Sequence, residues 1–306
     1  MSGSMSRAAK ERRIAPYVFI SPFFLIFGAF SLFPILFTLY ISLTDWSLGG
    51  APQFIGFGNY AEVLQDSRFY DALFNTVLFM IMIIPPQIII ALFISVLLTN
   101  GRVPLVGTFR LVNFLPYITT SVAVGLIFGI LFDWNFGSVN VLLAKIGLIK
   151  ENVNWLGQPW PSRIVVSLVT VWKYFGYTAV MFLVGISGIS RQLYEAADLD
   201  GASKMQQFRF VTLPMLRPVM VFVILTTMIG CFQIFDEPYM LFTGMGASVV
   251  GGPEGAALTG TWLIYDNVFG SLSRFGYGSA IAYVLFLFIS MVSFVTFRLM
   301  NKGEDA

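Results

Sequence analysis

Residues able to do chemistry are scarce in this chain, and they concentrate in two stretches, 170–177 and 191–217. The sequence has no histidine, which excludes a histidine base, a histidine-ligated metal and a histidine pH switch. Its single cysteine, Cys231, lies in an apolar run, so a disulfide within the chain is excluded. No Gly-x-x-x-x-Gly-Lys-Ser/Thr sequence occurs, so the chain lacks the loop that cradles ATP phosphates in this way. We therefore expect no catalytic residue, no metal and no cofactor bound by this chain.

Residues 170–177, TVWKYFGY, place one cation among aromatic rings inside an apolar run. One interpretation is that Lys173 extends its ammonium group to the lipid headgroups at the end of a span. The other is that it lines a cavity with its aromatic neighbours, because sugars are bound by aromatic faces together with a few donors and acceptors. Gln233, Asp236 and Glu237 offer similar groups at the end of a later apolar run. The predicted cavity residues are Trp172, Lys173, Tyr174, Tyr177, Gln233 and Asp236. Weaker candidates, because buried amides more often bond neighbouring helices, are Asn75, Gln87 and Asn113.

Residues 191–217, RQLYEAADLDGASKMQQFRFVTLPMLR, form a long polar segment between two apolar runs. Small and apolar residues recur at helical spacing from Tyr194 to Phe208, which predicts a short amphipathic helix across one membrane face. A partnerless interfacial helix is one interpretation. The small, non-cationic exposed face favours docking into a protein groove instead. Pro214 and Pro218 are expected to break the chain before it re-enters the membrane.

Composition shows what must position these groups. The 306 residues are 57% hydrophobic and only 11% charged, with a mean hydropathy of +0.80, whereas a soluble domain carries roughly 25% charged residues. Lipid offers no partner for bare backbone, so a bundle of spanning helices is expected. The uncharged runs that predict six spans are 14–44 (span about 16–42), 72–101, 111–132, 164–190, 218–235 and 275–297. In the second run, Pro85 and Pro86 are expected to kink the helix or to break its hydrogen-bond ladder.

The distribution of Lys and Arg predicts the orientation of these spans. With the N-terminus inside, the internal segments hold twelve Lys and Arg residues and the external loops five. By the positive-inside rule both termini are therefore expected to be cytoplasmic, with 191–217 on the cytoplasmic side. The first apolar run has 31 residues without a charge, which is too long for a signal peptide and indicates an uncleaved first span.

The string EAADLDGAS followed by VTLPMLRP is similar to the EAA loop of permease subunits of binding-protein-dependent ABC importers. The matching residues are Glu195, Ala196, Ala197, Gly201, Leu213 and Pro214. PYVFISPFFLIFGAFSLFPI and LTDW near the start, FIGFGNY before the second run and FDEPYMLFTG after the fifth also resemble sugar permeases of the first-subunit, maltose/multiple-sugar type. Val211 stands where isoleucine is common, and a β-branched apolar residue keeps the same packing role.

The resemblance implies an all-α polytopic membrane protein with the type I ABC importer permease fold. It implies a cytoplasmic tail at 1–15, one transmembrane permease domain at 16–300 with the coupling loop at 191–217, and a second tail at 301–306. The loop would contact the ATPase through Glu195, Ala196, Ala197, Gly201, Ala202 and Pro214. The chain would form half of a sugar translocation channel in a bacterial or archaeal cytoplasmic membrane.

The implied partners are a second similar permease, two cytoplasmic ATPase subunits that bind ATP and Mg²⁺, an extracytoplasmic sugar-binding protein and the lipid bilayer, with no nucleic acid. The alternative from another class is an ATP-independent secondary transporter or channel. It would need an intramembrane carboxylate for ion coupling, and the five apolar runs up to 218–235 contain none between their ends. A membrane enzyme is disfavoured because histidine and clustered carboxylates at the membrane face are lacking. Which sugar is carried is left open by the sequence.

Overall fold

The computed structural model describes residues 7–99, 106–244, 249–271 and 273–301, and these are mainly helical. The helices up to the first long loop are α1 (Arg7–Phe27), α2 (Phe33–Ser42), α3 (Gly58–Val63), α4 (Ser67–Thr99), α5 (Val106–Ile118), α6 (Ser121–Leu131) and α7 (Ser138–Lys145). The later ones are α8 (Pro159–Ser187), α9 (Arg191–Leu199), α10 (Lys204–Gln207), α11 (Leu213–Met215), α12 (Arg217–Phe232), α13 (Asp236–Thr243), α14 (Gly260–Phe269) and α15 (Phe275–Asn301). Strands β1 (Thr44–Asp45) and β2 (Gln53–Phe54) form one antiparallel pair, with Thr44 opposite Phe54.

Short turns of other helix types join several of these elements. A π-turn at Gly28–Leu32 links α1 to α2, and another at Phe208–Thr212 links α10 to α11. The chain falls into two compact units. The first comprises the chain up to Gln65 with Asn267–Tyr283, and the second comprises Asp66–Asp266 with the chain from Val284 onward.

The predicted spans agree with the helices in number and place. Five helical stretches of the described residues are long and apolar enough to cross a membrane, and a bent pair could make a sixth. The five are Ala15–Ser42, Ser67–Thr99, Pro159–Ser187, Arg217–Thr243 and Phe275–Met300. One α-helix runs through both Pro85 and Pro86, and neither proline has the N–H that its place in the hydrogen-bond ladder would use. Pro removes only its own N–H donor, and neighbouring helices and side chains can compensate for that loss inside a membrane protein.

The third predicted span, 111–132, is not straight. It consists of α5 and α6, which meet at an angle of 93°. Thr120 has an extended backbone and its hydroxyl oxygen accepts the backbone N–H of Ala123, so a new helix starts there. After this bend α6 packs against α13, and an added Cβ on Gly125 would lie 2.6 Å from the Cβ of Met240. The bend therefore brings the start of α6 beside the start of α13.

Helix α8 is the central element of the second unit. It packs along α4, and a glycine allows α5 to approach its backbone: a Cβ on Gly176 would lie 1.7 Å from the backbone oxygen of Asn113. Its buried apolar side chains include Phe182, which forms a core cluster with Ala91, Ala179 and Val223. These contacts fix α4, α8 and α12 around one another.

Gly176→Ala should destabilise the second unit because the new methyl group overlaps the backbone of α5. Overpacking of this kind costs about 1–3 kcal/mol, and a clash with backbone cannot be relieved by a rotamer change. The measurement is the thermal unfolding midpoint of the detergent-purified protein. Gly230→Ala is the matched control, because a Cβ there meets no atom within 4 Å of the described structure and alanine favours a helix by roughly 0.5–1 kcal/mol. Equal midpoints for the two variants would contradict the close approach.

The stretch from Gly244 to Gly260 is rich in glycine, which is typical of a loop, and its residues 245–248 lie outside the described residues. The part from Gly251 to Thr259 has little regular structure, and its Ala257 and Thr259 are fully buried. Asn75 donates to the carbonyl oxygens of Gly255 (2.8 Å) and Leu258 (3.0 Å), and Arg163 donates to Ala256 (3.2 Å). These bonds satisfy backbone groups that irregular buried chain leaves without partners.

In the first unit, polar contacts tie the chain after α2 to the residues before α15. Asn59 is buried and donates to the backbone oxygens of Ser42 and Thr44, both at 2.8 Å. Arg274 makes a two-pronged ion pair with Glu62 at 2.6 and 2.7 Å, and this carboxylate raises the pKa of the guanidinium. A Cβ on Gly276 would lie 2.0 Å from the backbone oxygen of Thr44, so glycine permits the close approach.

Candidate functional site

A cavity of about 460 Å³ opens in the second unit between α4, α8, α12 and the start of α13. Four of the six predicted cavity residues line it: Tyr174, Tyr177, Gln233 and Asp236. Hydroxyl groups from Thr170, Thr178, Thr226 and Thr227 also face it. The wall therefore combines aromatic rings with uncharged donors and acceptors and one free carboxylate.

The aromatic wall is built by two helices. The ring of Tyr117 from α5 stacks on Tyr177 with 4.9 Å between centroids and an interplanar angle of 17°. The same ring meets Tyr174 edge-on at 5.9 Å. Sequence reasoning missed Tyr117, because its place near the wall depends on the bend that follows α5.

Gln87 lies in the middle of α4 and is 3% exposed. Its amide nitrogen donates to the hydroxyl of Thr178 at 2.8 Å, whereas its Oε1 has no partner within the described part of the chain. Turning the amide over would give the oxygen to Thr178 and leave the nitrogen without a partner instead. A buried polar atom without a hydrogen bond costs about 1–3 kcal/mol. Gln87 also lines the cavity, although its Oε1 is itself buried, so this atom is an unpaired acceptor just behind the cavity wall.

Lys173 does not extend to headgroups; that interpretation is wrong. Its ammonium group is buried and lies 2.8 Å from Oε1 of Glu237 and 2.8 Å from the hydroxyl of Ser121. Tyr174 donates to the same Glu237 oxygen at 3.2 Å. A buried ion needs a partner of opposite charge, and this one comes from a residue 64 positions away. No local pattern in the sequence could have identified the pair.

The remaining predicted residues of this region lie elsewhere. Trp172 is half-buried and packs edge-on against Phe128 with 5.0 Å between centroids, so it does not line the cavity. Of the weaker candidates, Asn75 holds the buried segment 251–259 and Asn113 bonds its own helix through Phe109. The expectation that buried amides bond neighbouring chain therefore describes Asn75 well.

The structure extends the fifth span, so the expectation that spans one to five have no carboxylate between their ends is wrong. The fifth span continues beyond Phe232, through a break at residues 233–235, into α13. Glu237 then lies inside a spanning stretch and is 3% exposed. Because it pairs with Lys173, this carboxylate carries no unbalanced charge.

The 191–217 segment folds as a helical hairpin rather than as one helix. α9 ends at Leu199, and Gly201 takes φ +75°, a left-handed conformation that favours glycine. The N–H of Ala202 bonds the carbonyl of Ala197 at 2.9 Å, and that of Gly201 bonds Asp198 at 3.1 Å, which is the pattern of a Schellman cap. The predicted helical face from Tyr194 to Phe208 is therefore wrong past Gly201, where the chain reverses.

A second helix starts at once and braces the first. Ser203 caps α10 and forms a reciprocal capping box with Gln206. Asp198 accepts from Gln207 and from Lys204 (3.3 Å), and these two bonds, that of Gln207 foremost, lower the pKa of the Asp198 carboxyl. Further along, the hydroxyls of Tyr194 and Thr212 lie 2.9 Å apart. The hairpin is thus held by its own contacts.

The outer face of this hairpin is exposed and partly apolar. Leu199 is 91% exposed and Met205 73%, beside the small residues Ala196 and Gly201. Glu195 is exposed too and meets Arg191 at 3.0 Å within the same helix. Pro214 lies exposed at the start of α11, and it begins a helix instead of breaking the chain. Large apolar side chains exposed together on a polar segment are typical of an interaction surface, either for a protein or for the membrane.

Comparison with known proteins gives a consistent result. The chain is 34% identical to the lactose transport system permease protein LacF of Rhizobium radiobacter, over 92% of each chain. It is 32% identical to the arabinooligosaccharides transport system permease protein AraP of Bacillus subtilis (strain 168), over 96% of this chain and 91% of that one. A solved structure of a bacterial alginate ABC transporter, in complex with an alginate pentasaccharide-bound periplasmic protein, contains a chain of the same fold (TM-score 0.70, 21% identity, 95% and 94% covered).

The family described as binding-protein-dependent transport system inner membrane component matches residues 54–303. This match and the sugar permeases above cover both the spanning helices and the 191–217 hairpin. The chain therefore belongs to the binding-protein-dependent transport system inner membrane component family and is a permease of the carbohydrate ABC importer type.

Proposed function

We propose that this permease forms half of the translocation path of an ATP-driven sugar importer and is driven through its 191–217 hairpin. The observation that carries this function is the combination, in one unit, of a cavity lined by aromatic rings, hydroxyls and amides among apolar side chains and an exposed hairpin at the start of the fifth span. The cavity would bind the sugar, and the hairpin would bind the ATPase subunit that drives transport.

The chemistry of the cavity supports a saccharide as substrate. Sugars offer apolar ring faces and many hydroxyl groups, which suit stacked tyrosines together with amides and hydroxyls. Tyr174 and Tyr177 provide the rings, and Gln87 and Gln233 provide the amides. LacF and AraP are named for transport of lactose and of arabinooligosaccharides. We propose a substrate of the same class for this chain.

The hairpin supports coupling to a separate ATPase. Its face carries Glu195, Ala196 and Leu199, all exposed, while its fold is held by internal bonds that a partner need not supply. Such a preformed surface can dock with little ordering cost. We propose that Glu195, Ala196, Ala197, Gly201, Ala202 and Pro214 form or support the contact, with ATP and Mg²⁺ bound by the partner.

The hairpin leads directly into α12, which lines the cavity with Thr226 and Thr227. A shift of the hairpin can therefore be transmitted along one helix to the cavity. The remaining partners we propose are a second permease and an extracytoplasmic sugar-binding protein. Both termini and the hairpin would lie on the cytoplasmic side of a bacterial or archaeal cytoplasmic membrane, with 1–15 and 301–306 as tails of a single transmembrane domain.

The rival function, ion-coupled transport without ATP, requires a carboxylate that can gain and lose a proton or an ion. Glu237 is buried and paired with Lys173 at 2.8 Å, so the carboxylate that such coupling would use is Asp236 on the cavity wall. The test is uptake of radiolabelled sugar by proteoliposomes containing the assembled transporter and its binding protein. Uptake should need internal ATP and should be unaffected by dissipating proton and sodium gradients. Uptake that follows an ion gradient in the absence of ATP would refute the proposal.

Replacing Gln87 by leucine should weaken sugar handling without unfolding the protein. The variant keeps the side-chain volume and removes both amide atoms, but it takes the donor from the buried Thr178 hydroxyl, so its thermal unfolding midpoint is measured as well. Loss of one hydrogen bond to the sugar should raise the half-saturating sugar concentration for ATPase stimulation about tenfold. Leu→Met at the buried, cavity-remote position Leu98 of the same helix is the control and should change little. If Gln87→Leu left the half-saturating sugar concentration unchanged, Gln87 would not contact the substrate.

A further inference from the structure

We propose that this permease presents a negatively charged half-cavity that disfavours anionic saccharides and admits uncharged ones. The inference deepens the proposed function, since it takes the cavity to be the sugar path. It rests on how three charged groups at one end of the cavity, Lys173, Asp236 and Glu237, are arranged.

The first step is that the cation is unavailable. Lys173 is 6% exposed and is not among the residues that line the cavity. Its ammonium group is held by Glu237 and by Ser121, each at 2.8 Å. A carboxylate on a sugar would have to compete with a carboxylate already placed at hydrogen-bond distance. The described lining contains no other Lys or Arg.

The second step is that one carboxylate remains. Asp236 lines the cavity, is exposed and has no ion-pair partner among the described residues. Its closest polar contact in the same group is the hydroxyl of Ser121, at 3.4 Å from Oδ2. The three groups together carry one positive and two negative charges, so this end of the cavity has a net charge of −1.

The third step is the consequence for selectivity. Repulsion between like charges rejects the wrong ligand even where shape would admit it. The effect is larger in a partly desolvated cavity than in water, because the effective dielectric is lower. The other polar groups of the lining are chiefly hydroxyls, phenols and amides, and these bind the hydroxyl groups of a neutral sugar equally well. Hence a neutral saccharide can bind these groups without an electrostatic penalty, whereas the carboxylate of an acidic saccharide is repelled by the carboxylate of Asp236.

The test measures the charge of the cavity directly and needs no knowledge of the sugar. In the detergent-purified transporter, Cys231→Ala removes the chain's one native thiol, and Thr226→Cys or Gly230→Cys places a probe on the lining. The rates of modification by a trimethylammonium and by a sulfonate methanethiosulfonate reagent are compared. For each cysteine we take the ratio of the cationic to the anionic modification rate. We expect this ratio to be about tenfold higher at the cavity cysteine than at an external cysteine, Gln158→Cys.

Asp236→Asn should abolish this preference and Asp236→Lys should invert it, while the ratio at Gln158→Cys stays constant. The proposal is overturned if the cavity ratio equals that at Gln158→Cys, favours the anion, or does not respond to either Asp236 variant. It is overturned as well if neither cavity thiol reacts while Gln158→Cys does, since no hydrated path would then exist. Modification requires neither ATP nor uptake, so this outcome is independent of whether the ATPase coupling proposed above fails.

Discussion

Glu195→Arg should abolish sugar-stimulated ATPase activity and uptake while leaving the permease folded and inserted. Removing one partner of a charged contact at an interface costs about 2–5 kcal/mol, which corresponds to a fall of roughly 30-fold or more in coupled activity. Inside the permease the loss is small, because the exposed pair of Glu195 with Arg191 contributes no more than about 0.5 kcal/mol. The two magnitudes separate a coupling defect from a folding defect. The measurements are ATPase rate, uptake and thermal unfolding of the assembled transporter.

The control for Glu195→Arg is the same change at Glu151, an exposed carboxylate of the segment between α7 and α8. It alters the net charge equally and should leave both activities within about twofold, since it lies outside the proposed contact.

Gly201→Val tests the hairpin independently of charge. A β-branched residue cannot hold the left-handed φ of +75°, so this variant should also lose uptake. Full uptake by both hairpin variants would show that the motor acts elsewhere.

Lys173→Met should destabilise the permease strongly, because it leaves Glu237 buried without a countercharge. Breaking a buried pair on one side costs about 3–5 kcal/mol, whereas replacing both partners by apolar residues of similar size is close to neutral. We expect a thermal unfolding midpoint several degrees lower for Lys173→Met, and recovery of much of the loss in the double variant Lys173→Met/Glu237→Leu. The measurement is thermal unfolding of the purified protein in detergent.

Arg68→Met provides the comparison for the Lys173 variants. Arg68 pairs with Asp266 at 2.9 Å, but its side chain is half exposed, and such pairs contribute about 0–1 kcal/mol. If Arg68→Met lowered the thermal unfolding midpoint as much as Lys173→Met does, burial would not be the reason that the Lys173–Glu237 pair stabilises the protein. A double variant less stable than both single variants would contradict the buried-pair interpretation altogether.

Several elements follow from local sequence alone. The spans at 14–44, 164–190 and 275–297 were predicted within a few residues, because the membrane requires about 20 apolar residues and the chain marks them with flanking charges. The family was identified from EAADLDGAS and the strings around it, and the family match confirms it, whereas the coupling role of the segment stays a prediction. The position of Gly201 within that string is also local, although its left-handed turn was missed because small residues at helical spacing suggested a longer helix.

Other features depend on residues far apart in the chain. The 93° bend of the third span lies in a run that hydropathy reads as continuous, since Thr119 and Thr120 are not charged. The Lys173–Glu237 pair joins α8 to α13, and hydropathy cannot say whether a lysine in a span reaches headgroups or an anion. The place of Gln87 beside Thr178 is set by the packing of α4 on α8.

The sequence by itself therefore determined that the chain crosses the membrane, where it does so, and to which family it belongs. Each of these depends on hydropathy, charge or a short motif, which are properties of neighbouring residues. Only the tertiary structure decided which polar groups face the cavity and which neutralise one another. The physical reason is that a buried charge or amide is stabilised by whichever partner the packed helices bring within hydrogen-bond distance, and that partner has no fixed spacing along the chain.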